Sequence, residues 1–186
     1  PPTPEDLTNE CLKLEQAKAD VVWTWMPSFS VSQFAKACAQ QHYSPQWLQN
    51  ANGGECVLTG TFGAAELDGC LSIGTNRNPD EVDVPIKQEC DAAWQAARPG
   101  KEMPLGGYQL CAFYDVLRKA LEEAGRDLTQ TSFRNALHSM TYDNGLLNPI
   151  HFGKGQVASD KFVILRGRNG KIVEEPSGWQ TFDSMK

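Results

Sequence analysis

Residues 19–48 read ADVVWTWMPSFSVSQFAKACAQQHYSPQWL, and this stretch decides the fold. Its first part, residues 21–23, is an apolar run that is too short for a helix and is typical of a strand buried on both faces. The hydrophobic period then changes to that of a helix. The apolar residues of this helical stripe are Val31, Phe34, Ala35 and Cys38. A strand followed by an amphipathic helix predicts half of a crossover in a parallel sheet.

The flanks of this helix indicate its start and the next strand. Ser30 and Gln33 have the spacing of a capping box, which predicts the helix start. After the helix, Pro45 marks a turn. The residues that predict the next strand are Tyr43, Trp47 and Leu48. The loop 24–29 is therefore expected at the carboxyl end of a parallel strand, the edge where open α/β sheets bind ligands.

The aromatic residues of this stretch allow two interpretations. In one, Trp23 and Phe29 belong to the ordinary core and Trp25 is a partly exposed loop residue. In the other, the loop forms a wall of a ligand site.

The composition limits the classes of partner. With 186 residues, of which 40% are hydrophobic, the chain is long enough for one large domain or for parts of two. Its formal net charge is −6. This charge argues against nucleic acid or an anionic membrane surface as the main partner, because both attract basic faces. Small molecules and proteins remain.

The cysteines indicate disulfides. They number six, at positions 11, 38, 56, 70, 90 and 111, without a CxxC pair, and the histidines are scattered, so no metal or redox site is expected. An even count without metal spacing favours disulfides and an oxidising, exported compartment. We expect a sequential pairing, because each pair then links neighbouring elements. These pairs are Cys11 with Cys38, Cys56 with Cys70, and Cys90 with Cys111.

The alternative to disulfides is a cytosolic protein with six reduced cysteines. The chain starts PPTPEDL, which is neither basic nor apolar and does not resemble a signal peptide. For an exported protein, we expect that a leader was removed or that the chain is an internal piece.

Periodicity predicts further helices. Thr3 and Pro4 have the pattern of a helix start, and residues 86–97 and 129–140 predict two more helices. The strongest helix precedes Gly125, a typical C-cap. Its wide apolar stripe consists of Leu110, Phe113, Tyr114, Leu117 and Leu121.

The tail has the pattern of a hairpin. Two apolar runs, 162–165 and 171–173, flank Asn169 and Gly170, which favour a tight turn. Between the helices, the polar segment 75–85 holds two prolines and is typical of a linker.

Common catalytic motifs are missing from the sequence. It contains no GxSxG, no phosphate-binding glycine loop and no HExxH. The isolated residues His42, His138 and His151 suit structural or solvated roles better than that of a general base. Asp68 precedes an apolar run, where its carboxylate can meet a ligand ammonium or can simply end a turn. We therefore expect neither an enzyme nor a cofactor.

Six pieces succeed one another in the chain. They are DVVWTW at 20–25, QQHYSPQWL at 40–48, ELDGCLSIGTNRNP at 66–79, GYQLCAFYDVLRKALEEAGRDLTQTSFRNALHSM at 107–140, GLLNPIHFGKGQ at 145–156 and FVILRGRNGKIVEE at 162–175. This order resembles the second half of the periplasmic binding proteins of the leucine/isoleucine/valine type, the solute receptors of ABC importers. The resemblance covers nearly the whole chain, and ALEEAGRDLT followed by NALHSM and GLLNPIHFGKG is its most specific piece.

The resemblance implies an α/β fold, a parallel sheet with flanking helices that forms parts of a two-lobed type I fold closing around a small ligand. By analogy, residues 1–74 belong to the second lobe, residues 75–157 to the first lobe, and residues 158–186 return to the second lobe with the hairpin tail. The family's first half, whose loops hold an amino-acid carboxylate, has no counterpart here. Such a fragment is expected to expose apolar surface and to associate with the missing N-terminal segment or with itself.

The resemblance also implies a ligand site. The family's ligand-facing loop matches residues 25–29, its ammonium-binding acid matches Asp68, and an aromatic at the start of its long first-lobe helix matches the region 108–113. An amino acid, an amide and an aromatic acid are all ligands within this class. The expected ligand-binding residues are Trp25, Pro27, Ser28, Asp68 and Tyr108.

The sequence as a whole therefore predicts an extracytoplasmic solute-binding protein of an ABC importer, or its C-terminal portion. Its expected partners are a small solute and the importer's membrane subunits. The full-length protein is expected in the periplasm or on the cell surface, with a lipid anchor as one option. The alternatives are an exported ligand-sensing module, an α/β enzyme without a readable motif, and a pure interaction domain.

Overall fold

The computed structural model describes residues 6–49, 65–176, 178–181 and 183. The helices in this part of the chain are α1 (Thr8–Gln16), α2 (Ser28–Gln40), α3 (Pro85–Ala97), α4 (Leu105–Ala124) and α5 (Gln130–Ser139). The strands are β1 (Val21–Thr24), β2 (Gln46–Gln49), β3 (Leu71–Gly74), β4 (Thr141–Tyr142), β5 (Ile150–His151), β6 (Lys161–Arg168), β7 (Lys171–Glu174) and β8 (Gln180–Thr181). A 3₁₀ turn covers Ala65–Leu67. The described helices include none that is long and apolar enough to span a membrane.

The main sheet has the strand order β1-β2-β3-β6-β7, and β8 also pairs with β6. Strand β2 runs parallel to β1 and to β3. Strands β6 and β7 form the expected antiparallel hairpin. Its turn residues, Asn169 and Gly170, both have positive φ, at 52° and 73°, as a two-residue turn of this kind requires.

The chain divides into two compact units. Unit 1 contains Pro1–Gly74 and Ile164–Gly178, and unit 2 contains Thr75–Val163 and Trp179–Lys186. The chain thus leaves unit 1 after Gly74 and returns to it at Ile164, whereas the sequence predicted a return at residue 158. The last residues group with unit 2. Which receptor lobe each unit represents stays a prediction.

The core of unit 1 lies between helices α1 and α2 and one face of the sheet. Val22 and Trp47 point from neighbouring strands into this core, and the ring of Phe34 packs edge-on against that of Trp47 at 5.5 Å between centroids. The predicted helical stripe is buried here, as Val31, Phe34, Ala35 and Cys38. The crossover that the sequence predicted is therefore present.

The other face of this sheet differs from the prediction. Strand β1 was expected to be buried on both faces, yet Val21 is 52% exposed and Trp23 is 68% exposed. On β3, Ile73 is 39% exposed on the same face. Alternation along each strand sends these side chains away from α2. Within the described residues of unit 1, helices therefore cover only one face.

The start of α2 also differs from the prediction. The helix begins at Ser28, and Pro27 is its N-cap without a side-chain hydrogen bond. Ser30 thus lies inside the first turn and does not cap the helix. A capping box does occur at α5, where the hydroxyl of Thr129 accepts from the amide of Ser132, whose own hydroxyl accepts from the amide of Thr129.

Unit 2 is built from α3, α4 and α5 with the small antiparallel pair β4–β5. Helix α4 buries a narrow face of mostly small residues: Ala112, Asp115, Val116 and Ala120. Its predicted apolar stripe is instead exposed. The buried Asp115 accepts from the Tyr142 hydroxyl at 2.6 Å and from Arg118 at 2.7 Å. Burial and this hydrogen bond to Asp115 raise the pKa of Tyr142 to about 12.

Two of the expected disulfides are present. Cys11–Cys38 joins α1 to α2, with 5.2 Å between the Cα atoms, and Cys90–Cys111 joins α3 to α4, with 6.0 Å. The third expected pair, Cys56 with Cys70, includes a residue outside the described part of the chain. The predicted helix start at Thr3 and Pro4 lies outside it as well.

Candidate functional site

Among the described residues of unit 1, the loop after β1 holds the most exposed aromatic side chain. Trp25 is 74% exposed, and its ring meets that of Trp23 edge-on at 6.1 Å between centroids. Met26, between these positions and α2, packs partly into the unit 1 core and so anchors the loop. Two large aromatic surfaces therefore remain available to a partner molecule.

The strand directions place this loop at the carboxyl edge of the sheet. Because β1, β2 and β3 are parallel, the residues that come after them share that edge. Pro27 is exposed and Ser28 is the first residue of α2, so three residues connect the strand to the helix. The loop thus presents its aromatic surface at the start of α2.

A row of polar side chains crosses the three parallel strands on the helix-covered face. Thr24 lies opposite Gln49, and Gln49 lies opposite Ser72. All three are at most 5% exposed. The amide group of Gln49 and the hydroxyls of Ser72 and of Ser32 on α2 have no hydrogen-bond partner among the described residues. Sequence reasoning missed this row, whose signal was a polar residue in each strand, at the last position in β1 and β2 and at the second position in β3.

The structure does not bring Asp68 close to Trp25. It comes after the 3₁₀ turn and precedes β3, so it lies at the amino edge of the same parallel strands. Four-residue strands separate the two edges by about 13 Å. The Asp68 carboxylate accepts from the Asn169 amide at 2.6 Å and so fixes the β6–β7 turn. The structural alternative for Asp68, a turn aspartate, therefore fits its position better than an ammonium ligand.

Tyr108 belongs to unit 2, where its hydroxyl is already bonded. The hydroxyl donates to Asp91 on α3, and Lys87 binds the same carboxylate at 3.0 Å and lies over the Tyr108 ring at 5.7 Å. Burial and the bond to Asp91 raise the pKa of Tyr108. The bond from Tyr108 in turn lowers the pKa of Asp91. Tyr108 thus connects α3 to α4, beside the Cys90–Cys111 bridge.

Metal chemistry has no visible basis in the part of the chain that the structure describes. No three His, Cys, Asp or Glu side chains converge there. Unit 2 has an open depression of about 580 Å³. It is lined by Arg134, Asn135, His138, Ser139, Gly153 and Lys154. The His138 ring bonds to the Gly153 carbonyl across this depression, which gives the imidazole a structural contact.

A family model described as periplasmic binding protein matches residues 1–171 of the chain. The chain therefore belongs to the periplasmic binding protein family. No curated protein sequence matches it.

Solved structures share this fold at low sequence identity. A leucine-binding protein from Thermotoga maritima matches with a TM-score of 0.76 and 15% identity, over 98% of this chain and 50% of that one. A branched-chain amino acid ABC transporter protein from Thermus thermophilus with bound valine matches with a TM-score of 0.73 and 19% identity, over 91% of this chain and 48% of that one. A fatty acid ABC transporter substrate-binding protein from Thermomonospora curvata matches with a TM-score of 0.73 and 21% identity, over 93% of this chain and 46% of that one.

These matches confirm the predicted family and the predicted α/β fold of the periplasmic binding protein type I class. The chain spans about half the length of the structures that it matches. The family is one of periplasmic binding proteins, and these neighbours are binding or transporter proteins.

Proposed function

We propose that this chain forms part of an extracytoplasmic solute receptor of an ABC importer and that the loop 25–28 is one wall of its binding site. The observation that carries the proposal is the position of Trp25, which is 74% exposed at the carboxyl edge of a parallel sheet. Ligands of open α/β sheets bind at this edge. We therefore keep Trp25, Pro27 and Ser28 in the proposed site and propose structural roles for Asp68 and Tyr108, because both side chains already bond within the protein.

The chemistry of the loop favours a solute with an apolar body. Residues 24–30, TWMPSFS, carry no charged side chain, so this wall offers aromatic faces and neutral donors. Aromatic side chains contribute large apolar contact area. The names of the matched neighbours, which bind leucine, branched-chain amino acids or fatty acids, support the same chemistry. We infer an aliphatic amino acid or a related carboxylic acid as the solute.

The proposed role is binding and delivery without catalysis. The partners are then the membrane subunits of the importer, as the family membership supports. The two disulfides support an oxidising location outside the cytoplasm.

Calorimetric titration of the 186-residue chain with leucine, valine and octanoate tests this proposal. At least one of the three probes is expected to bind. Replacing Trp25 with alanine should weaken that binding about tenfold, which is about 1.4 kcal/mol, because the solute loses an aromatic contact surface.

Val157→Ala is the matched control, because Val157 is 76% exposed and lies outside the loop. This variant should bind like the wild type. Unchanged affinity in Trp25→Ala removes the loop from the site, and the absence of binding for all three probes contradicts the proposed solute class.

A further inference from the structure

The open depression in unit 2 has a positively charged lining among the described residues. Its volume is about 580 Å³, which is enough to admit a small molecule. Arg134 lines it from α5, and Lys154 lines it from the loop after β5. No aspartate or glutamate is among the described residues of this lining. The local charge is therefore opposite to the formal net charge of −6 on the chain.

Both of these cations are accessible to a ligand. Arg134 and Lys154 are exposed, and neither forms an ion pair with another described residue. Elsewhere in unit 2, Lys87, Arg118 and Lys119 each pair with a carboxylate. An arginine guanidinium binds an oxyanion through two parallel hydrogen bonds, and a lysine ammonium binds it as a point charge. The depression thus supplies two positive charges from two different elements.

A hydrogen bond holds these two elements together. The Nδ1 atom of His138 on α5 bonds to the carbonyl of Gly153, the residue before Lys154. The Gly155 amide donates to the Phe152 carbonyl at 2.9 Å and closes the turn that carries Lys154. Because a carbonyl oxygen can only accept, Nδ1 of His138 carries the proton. The other ring nitrogen, Nε2, is then an acceptor in the neutral imidazole.

We propose that this depression is a binding site for a hydrogen phosphate ion. A tetrahedral anion has oxygens on opposite sides, so it can meet Arg134 on α5 and Lys154 on the loop at the same time. Its negative charge matches the two cations. Its remaining hydroxyl can donate to Nε2 of His138, whereas sulfate has no hydrogen to give at neutral pH. The site therefore favours phosphate over sulfate.

The end of α5 opposes this binding only weakly. Arg134 and His138 lie in the second half of the helix, where the unpaired carbonyls carry a negative charge of about one half. The two full positive charges of Arg134 and Lys154 outweigh it, and the Asn135 amide adds a neutral donor to the lining. All of these residues belong to unit 2, so the phosphate site does not rest on the solute site proposed at the loop 25–28.

Calorimetric titration of the 186-residue chain with inorganic phosphate and with sulfate tests this proposal. Physiological salt in the buffer screens the general attraction between exposed charges and anions. Phosphate should bind at least about tenfold more tightly than sulfate, because only phosphate can donate to Nε2, and a hydrogen bond to a charged group is worth about that much. Arg134→Gln and Lys154→Gln should each weaken phosphate binding by at least about tenfold.

Lys101→Gln is the matched control for Lys154→Gln. Lys101 is an exposed lysine of unit 2 that does not line the depression, so this variant loses the same charge and should bind phosphate like the wild type. Circular dichroism checks that each variant keeps the fold. A wild type that binds no phosphate at millimolar concentration overturns the proposal. So does a Lys154→Gln variant that binds phosphate as tightly as Lys101→Gln does.

His138→Asn tests the choice of phosphate. The asparagine amide can still donate to the Gly153 carbonyl, but it has no counterpart of Nε2. This variant should therefore keep its fold and bind phosphate and sulfate with similar affinity. Equal affinity of the wild type for the two anions contradicts the assignment, and so does an undiminished preference for phosphate in His138→Asn.

Discussion

Asp68 shows how one short motif can serve two roles at the residue scale. An aspartate before a glycine and a strand matches an ammonium-binding position and also a turn position, and the sequence alone does not separate them. The structure places Asp68 at the amino edge of the sheet and bonds it to Asn169. Edge position depends on strand direction, which is a property of the assembled sheet.

Replacing Asp68 with alanine should lower the free energy of unfolding by about 1 kcal/mol, because the Asn169 amide loses its acceptor and the β6–β7 turn loses a tie to the 3₁₀ turn. Solute affinity should not change. Urea denaturation and calorimetric titration measure the two quantities. Asp68→Asn, which keeps an acceptor oxygen, should lose less stability. A loss of affinity with unchanged stability would return Asp68 to the binding site.

Trp23 and Trp25 were only partly predictable from their neighbours. The apolar run 21–23 predicted a strand buried on both faces, whereas Val21 and Trp23 are exposed in the structure. The structure exposes both tryptophans and pairs their rings. Which face of β1 a helix covers depends on residues distant in the sequence.

At the scale of elements, the helices were predicted well and their contacts less well. The period of residues 110–121 predicted a strong helix, and α4 covers this region and ends before Gly125, whose φ is 78°. Yet α4 packs into unit 2 through its small residues and leaves the larger stripe exposed. Helical period identifies apolar faces without identifying which face meets which neighbour.

The Cys90–Cys111 bridge should contribute strongly to the packing of α3 on α4. It closes a loop with a sequence separation of 21, and a loop of this length corresponds to about 3 kcal/mol of unfolded-state entropy. The double variant Cys90→Ala/Cys111→Ala should therefore lose about that much unfolding free energy in guanidinium denaturation. Adding a reductant should destabilise the wild type more than the double variant, because the double variant has no Cys90–Cys111 bridge to lose. Equal stability of the two proteins without reductant would contradict this role.

At the scale of the whole molecule, the order of pieces was more informative than any one motif. It predicted the family, and the family model confirms it over residues 1–171. The chain nevertheless spans about half the length of the structures that share its fold. Within the described residues, apolar side chains of β1, β3 and α4 are exposed.

The disulfides connect the fold to its expected compartment. An unreduced proteolytic digest, analysed by mass spectrometry, should contain peptides linked through Cys11–Cys38 and through Cys90–Cys111, because both pairs are bonded in the structure. Cys56–Cys70 stays a prediction from the sequence, which the same digest tests. Free thiols at Cys11 and Cys90 would contradict the oxidising location.

The sequence by itself determined the strand–helix–strand unit of residues 21–49, the helices α3 to α5, the hairpin turn, the two described cysteine pairs and the family, because these depend on local pattern and on the succession of pieces. It did not predict β4, β5 or β8. The tertiary structure decided that Trp25 and Asp68 lie at opposite edges of the sheet and that Tyr108 is bonded within unit 2. It also decided that the loop after β1, one face of the sheet and the apolar stripe of α4 are exposed. The reason is physical. Periodicity marks which side of an element is apolar, but only strand direction and packing across distant segments determine which surface is covered and which remains available for binding.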